Sequence, residues 1–225
     1  MSELKSEKKS ADNGIIKISV KNGLILGLFA MVSTGLIGFT YLMTKDKIAE
    51  EIQAAMDRQF NEIIDKSTYD NEVYKDCLLA QNDLLSGQAV KIYRMRNQQK
   101  SYAIFTTIIA PDGYSGKIAL AVGIYANGTI AGVRTVSHQE TPGLGDKIEI
   151  AKSDWIKQFD EQSLLSEKEQ WKVKKDGGQF DAMTGATITS RSVVKAVYNS
   201  LVFFENNQQM LFDSDSNCGE TDAAN

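Results

Sequence analysis

The residues with the clearest capacity for chemistry lie close together near the C-terminus, in Asp181-Ala182-Met183-Thr184-Gly185-Ala186-Thr187. Gly185 and Ala186 are small, so a bulky ligand can approach the backbone there. Thr187 offers a hydroxyl where the sequence passes from loop to helix. A helix start has unpaired N–H groups and a partial positive charge, both suited to a phosphate. Thr184, Thr187, Thr189 and Ser190 can each hydrogen-bond phosphate oxygens, and Arg191 adds a counter-charge. A second reading stays open at this point. Hydroxyl residues before an apolar helix are common caps, and Asp181 by itself reads as a solvated loop carboxylate.

A second candidate segment is the loop Ser137-His138-Gln139-Glu140-Thr141-Pro142-Gly143-Leu144-Gly145. Pro142 is one of 2 prolines in the chain. Gly143 and Gly145 would let the backbone lie close to a flat ring, and Glu140, Thr141 and Leu144 would complete the wall. An ordinary surface turn has the same composition. His138 could hydrogen-bond such a ring or simply be solvated. It is the only histidine, and Cys77 and Cys218 are far apart, with Cys218 in a polar tail. The cysteines read as neither a metal pair nor a disulfide framework, so no metal cofactor is expected.

These segments need a scaffold. The 225 residues suffice for one domain plus an appendage. A net charge of -4 argues against nucleic acid as the main partner. The middle of the chain is β-rich: 89–95 and 102–109 read as strands. Ile118, Leu120, Val122 and Ile124 form one buried strand face. Asn127-Gly128 predicts a type I′ hairpin returning through 129–136, and antiparallel pairing follows. Trp155, Ile156 and Phe159 suggest a short helix. Val193, Val194, Val197, Leu201 and Phe204 recur at helical spacing and predict a helix over 189–206. The tail from Asp213 carries acidic residues and little apolar content, and reads as disordered.

From Gly23 to Thr44 the chain contains no charged residue. As a helix this run would be roughly 30 Å long, enough to cross a bilayer core. It is too long for a signal peptide and lacks a small-x-small cleavage site, so a retained anchor is favoured. Lys5, Lys8, Lys9, Lys17 and Lys21 precede it. The positive-inside rule then sets the arm in the cytoplasm and the domain outside. Ile15, Ile16, Ile18 and Val20 are expected along the membrane surface. Ile48, Ile52, Ala55, Met56, Phe60 and Ile63 predict a helix leading into the domain. The organisation expected is a cytoplasmic arm (1–22), a transmembrane helix (23–44), an α+β domain with an antiparallel sheet and packed helices (45–210), and a disordered tail (211–225).

The anchor, the Glu140-Thr-Pro-Gly-Leu-Gly145 loop and Asp181-x-x-Thr184-Gly185-Ala186-Thr187 together resemble a known group. This is the FMN-binding domain shared by the G subunit of the Rnf (Rsx) electron-transport complex and the C subunit of the sodium-pumping NADH:quinone reductase. The length and Ser137-His-Gln-Glu-Thr-Pro-Gly-Leu-Gly-Asp146 are similar to the Rnf G subunit in particular. The resemblance implies FMN joined covalently to Thr187 as a phosphoester. It implies a separate flavin transferase that uses FAD and a divalent metal and reads Asp181. It also implies other membrane and redox subunits as partners, in the inner (cytoplasmic) membrane with the domain on the periplasmic side. The whole complex would couple electron flow between ferredoxin and NAD to ion movement. This chain has no nucleotide fingerprint of its own and is not expected to work on NAD alone. Thr184 stands where many relatives have serine, a conservative departure. A covalent tether outside the cytoplasm would keep the flavin from being diluted away. The contrasting possibilities are a cofactor-free membrane-anchored scaffold and a stand-alone flavin reductase.

Overall fold

The computed structural model describes residues 3–164 and 170–218, with the side chains of 3–19, 46, 49, 50, 52 and 53 outside the description. Two compact units divide the chain, 1–57 and 58–225. The first unit is helical. Helix α1 runs Glu3–Ile63, and its last residues belong to the second unit. Within α1, Val20–Lys45 is long and apolar enough to cross a membrane, and none of the span is buried against protein. Its hydroxyls are hidden locally. Ser33 donates to Phe29 O, Thr40 to Leu36 O and Thr44 to Thr40 O, each at 2.8–2.9 Å. Such back-bonding satisfies a hydroxyl without water. The helix expected from Ile48 onward is continuous with this span rather than separate from it. The surface position expected of Ile15, Ile16 and Ile18 falls on side chains outside the described residues, and Val20 is the first residue of the apolar stretch Val20–Lys45.

The second unit is built on a five-stranded sheet, β1 (Cys77–Gln81), β2 (Ala89–Asn97), β3 (Lys100–Ala110), β4 (Ile118–Tyr125) and β5 (Ile130–Ser137). The strands lie in sequence order and every neighbouring pair is antiparallel. The α+β expectation holds. Four strands were legible from the sequence; β1 was not, since Cys-Leu-Leu-Ala-Gln shows no clean alternation. The β4–β5 turn differs from the type I′ expectation. Gly128 has φ +84°, but Asn127 does not take a positive φ. Gly128 N–H donates to Tyr125 O and Asn127 Oδ1 accepts from Thr129 N–H, so the turn is a longer one with a left-handed glycine at its end.

Each face of the sheet is covered for a readable reason. The rung Tyr93–Phe105–Gly123–Gly132 crosses four strands. The end of α1 lies on this rung, with Phe60 4.6 Å from Phe105 and 5.2 Å from Tyr93, ring centre to ring centre. A Cβ on Gly123 would come 2.5 Å from Ile63 Cγ2, so only glycine lets the helix this close. The other face carries Ile92, Ile104, Ile108, Leu120, Val122 and Ile124 into the main core. Helix α2, Thr187–Asp213, joins that core through Val193, Val197, Leu201 and Phe204. These positions sit at offsets of four, four and three residues, the spacing of one helix face.

Helix α2 runs past the expected 189–206 because its C-terminal end is held. Arg94, 2% exposed, donates to Leu211 O and Ser214 O and pairs with Asp76. Arg96 donates to Phe212 O at 2.9 Å and to Asp76 at 2.7 Å. Two guanidinium groups thus satisfy carbonyls that a helix end leaves unpaired. The chain that follows corrects two expectations. Cys77 and Cys218 form a disulfide, Cα to Cα 5.7 Å. Residues 214–218 are ordered along β1: Cys77 N–H donates to Ser216 Oγ, Leu79 N–H to Asn217 Oδ1, and Asn217 N–H to Cys77 O. Sequence spacing hid both features, because the pairing depends on α2 returning Cys218 to the edge strand. The remainder of the tail lies outside the described residues.

Candidate functional site

Helix α2 begins at Thr187, and the residue before it, Ala186, makes no side-chain cap bond. The hydroxyls that could have capped it are used elsewhere. Ser190 Oγ accepts from Met183 N–H and donates to Ala186 O. Thr189 donates to Glu140 Oε2. Thr184 is exposed. The leading amides of α2 therefore keep the partial positive charge of an open helix start.

Upstream structure aims this helix start. Aromatic rings run from the 154–159 turn to α2: Trp155–Phe159 at 5.7 Å, Phe159–Phe180 at 5.0 Å, Phe180–Trp171 at 4.9 Å and Trp171–Tyr198 at 5.9 Å. The backbone of Asp181 is gripped on both sides. Its N–H donates to Gln158 Oε1 and its C=O accepts from Trp155 Nε1, both at 2.7 Å. The Asp181 carboxylate points outward, 68% exposed, with Lys174 at 2.7 Å. Gly185 makes the final turn with φ +81°, and a Cβ there would lie 3.0 Å from Leu144 Cδ2. A side chain would be strained twice over at this position.

Thr187 opens onto a pocket of about 470 Å³ lined by Glu140, Thr141, Leu144, Gly145 and Gly185–Thr189 with Tyr114 and Lys175. That size falls within the usual range of small-molecule sites, roughly 300–1,000 Å³. The fold therefore brings the two sequence segments together. Three of its large apolar side chains are exposed: Tyr114 at 68%, Ile188 at 48% and Leu144 at 44%. Lys175 Nζ donates to Thr187 Oγ1 at 3.0 Å. The pocket so combines a hydroxyl beside a cation and an uncapped helix start with an apolar rim. That suits a ligand with a phosphate at one end and a flat apolar ring at the other, and the residues present fit FMN.

Several expected residues play other parts. Glu140 is 5% exposed and its carboxylate is spent, accepting from Ser115 N–H at 3.0 Å and from Thr189. Gly145 serves that contact, since a Cβ on it would come 2.8 Å from Glu140 Oε2. Gly143, with φ +79°, shapes the loop but does not line the pocket. Thr184 and His138 are also outside the lining. His138 Nδ1 accepts from Glu140 N–H at 3.0 Å, so Nε2 carries the hydrogen toward Glu149 at 2.8 Å. Arg191 is committed to Asp176 by two bonds of 2.6 and 2.7 Å, which hold the Asp176 carboxyl below the usual carboxylate range. Sequence reasoning missed Lys175, Tyr114 and Ile188. Lys175 belongs to a basic run, Lys172-Val-Lys174-Lys175, that carries no periodic signal. A larger cleft of about 680 Å³, lined by Trp171 and Tyr198 among others, shares no lining residue with the Thr187 pocket. The smaller pocket is preferred because the chemistry is there.

Similarity to known proteins follows the same division. Residues 113–202, which hold the pocket loop and the start of α2, match a family model described as FMN-binding domain. Residues 10–63 match one described as the RnfG N-terminal region. The G subunit of an ion-translocating oxidoreductase complex from Vibrio atlanticus (strain LGP32) is 46% identical over 201 residues, covering 88% of this chain and 96% of that one. The chain belongs to the G-subunit family of ion-translocating oxidoreductase complexes. Family members of the same description from Shewanella baltica (strain OS223) and Pseudoalteromonas atlantica (strain T6c / ATCC BAA-1087) are 46% and 42% identical. They cover 88% and 90% of this chain, and it covers 95% of each. The family assignment takes in span and pocket alike, because one matched region contains Val20–Lys45 and the other contains every residue that lines the Thr187 pocket.

Proposed function

We propose that this chain is the electron-transfer subunit of an Rnf-type ion-translocating oxidoreductase complex, with FMN held as a phosphoester on Thr187. The observation that carries the reading is the Thr187 hydroxyl, set at the uncapped start of α2, bonded by Lys175 and open to a pocket with an apolar rim. FMN supplies reversible electron uptake when bound. The chain's own residues do the rest. The α2 amides and Lys175 offset phosphate charge, and Tyr114, Leu144 and Ile188 shelter the ring from water. The exposed Asp181 carboxylate on a clamped backbone suits recognition by a flavin transferase that uses FAD and a divalent metal.

The span Val20–Lys45 would anchor the chain in the cytoplasmic membrane beside the other membrane and redox subunits. Two observations support the domain lying outside the cytoplasm. Lysines crowd the arm before the span. The disulfide Cys77–Cys218 belongs to an oxidising compartment. The test is the intact mass and in-gel flavin fluorescence of the purified chain, co-produced with a flavin transferase. Wild type carries one covalent FMN and Thr187→Ala none. Covalent flavin retained in that variant overturns the assignment.

A further inference from the structure

The start of α2 is approached by one tight turn, Lys174–Asp176, ended by Gly177 with φ +82°. The turn is tied to the chain on both sides. Lys174 N–H donates to Phe180 O and Gly178 N–H to Val173 O. It is also tied to the helix, because Asp176 receives both bonds from Arg191. Arg191 and Thr187 are four residues apart on α2 and share a face. The Asp176–Arg191 pair therefore docks the turn against the same face that presents Thr187, and Lys175 is delivered to its hydroxyl. Two neighbouring cations are matched by carboxylates, Lys174 by Asp181 and Arg191 by Asp176. Lys175 instead meets a neutral oxygen.

We infer that Lys175 is a positioning residue for modification of Thr187, held in place by the Asp176–Arg191 pair. This rests on Thr187 being the flavin acceptor. In the transfer, the Thr187 oxygen forms a bond to the FMN phosphorus of FAD. The phosphoanhydride bond breaks and AMP leaves with its electron pair. The hydroxyl proton passes to a base of the transferase. The Lys175 hydrogen bond occupies one lone pair of Oγ1 and leaves the other for the bond to phosphorus. Its charge then faces the incoming phosphoryl group, where attraction is strongest at close range.

The experiment measures the initial rate of flavin loading of the full-length, detergent-solubilised chain by purified transferase with FAD and Mg²⁺, read by intact mass as a function of acceptor concentration. Lys175→Met is expected to lower kcat at least about tenfold, the loss of one charge-assisted hydrogen bond. KM for the acceptor is expected to stay unchanged. Lys175→Arg should restore a large part of the rate, and Asp176→Asn should lower kcat although Lys175 is intact. Thermal melting of unflavinylated Lys175→Met and Lys175→Arg should match wild type, because Lys175 is exposed. Wild-type kinetics in Lys175→Met overturn the inference, as does a rise in KM alone, which would make Lys175 a docking contact. Failure of wild type itself to load at Thr187 would instead overturn the acceptor assignment.

Discussion

Glu140 and Thr189 are forty-nine positions apart and share one buried hydrogen bond, the Thr189 hydroxyl donating to Glu140 Oε2. The bond fastens the loop after β5 to the first turn of α2, and both residues line the Thr187 pocket. Thr189→Val keeps the shape and removes the donor, leaving a buried carboxylate oxygen short of a partner. The expected loss of stability is about 1–3 kcal/mol. Urea unfolding should show it, with the slope of the transition unchanged.

Thr187→Ala should behave in the opposite way. The side chain is half-buried and its hydroxyl accepts from the exposed Lys175. Stability of the flavin-free domain should stay within about 0.5 kcal/mol of wild type. Covalent flavin should be absent by mass.

Asp181→Ala separates recognition from folding. The Trp155 and Gln158 bonds reach the backbone of residue 181, which the substitution keeps. Melting should therefore be unchanged while flavin loading by the transferase falls sharply. Full loading of the variant would show that the carboxylate is not read.

The disulfide sets a redox dependence of stability. It closes a sequence separation of 141 residues, for which chain entropy gives about 5 kcal/mol as an upper figure. Reduction, or Cys77→Ala with Cys218→Ala, should cost about 2–5 kcal/mol in denaturant melts. Flavin loading should persist in the folded fraction, since Cys218 follows the C-terminal end of α2 and Thr187 begins it.

Acid should weaken the segments that hold the pocket. Arg191 holds the carboxyl of Asp176 below its ordinary range, and Lys152 followed by His138 does the same for Glu149. The unfolded chain takes up these protons at higher pH than the folded one. Their stabilisation is complete above the ordinary carboxylate pKa of about 4 and is lost as pH falls through the lowered folded values. Asp160 works the other way, because burial raises its pKa, and acidification relieves its cost. Denaturant melts of the Asp176→Asn and Glu149→Gln variants should each lose part of the acid dependence seen in wild type.

Local pattern was enough for much of this protein. An uncharged run of helical length determined the apolar helical stretch Val20–Lys45. Alternation and turn residues determined four strands, and three-and-four spacing determined the core face of α2. The run from Asp181 to Thr187 was legible because backbone freedom at Gly185 and a hydroxyl at a helix start are local properties. The tertiary structure decided what depends on contacts between distant residues. It brought Cys218 back to Cys77, gave α2 its last turns through Arg94 and Arg96, and placed β1 at the sheet edge without an alternating signal. It also paired Glu140 with Thr189, His138 with Glu149 and Arg191 with Asp176, contacts that no spacing along the chain reveals. Lys175 became visible for the same reason: a lysine in a basic run has no periodicity to announce it, and only the docking of its turn on α2 puts its ammonium beside the Thr187 oxygen.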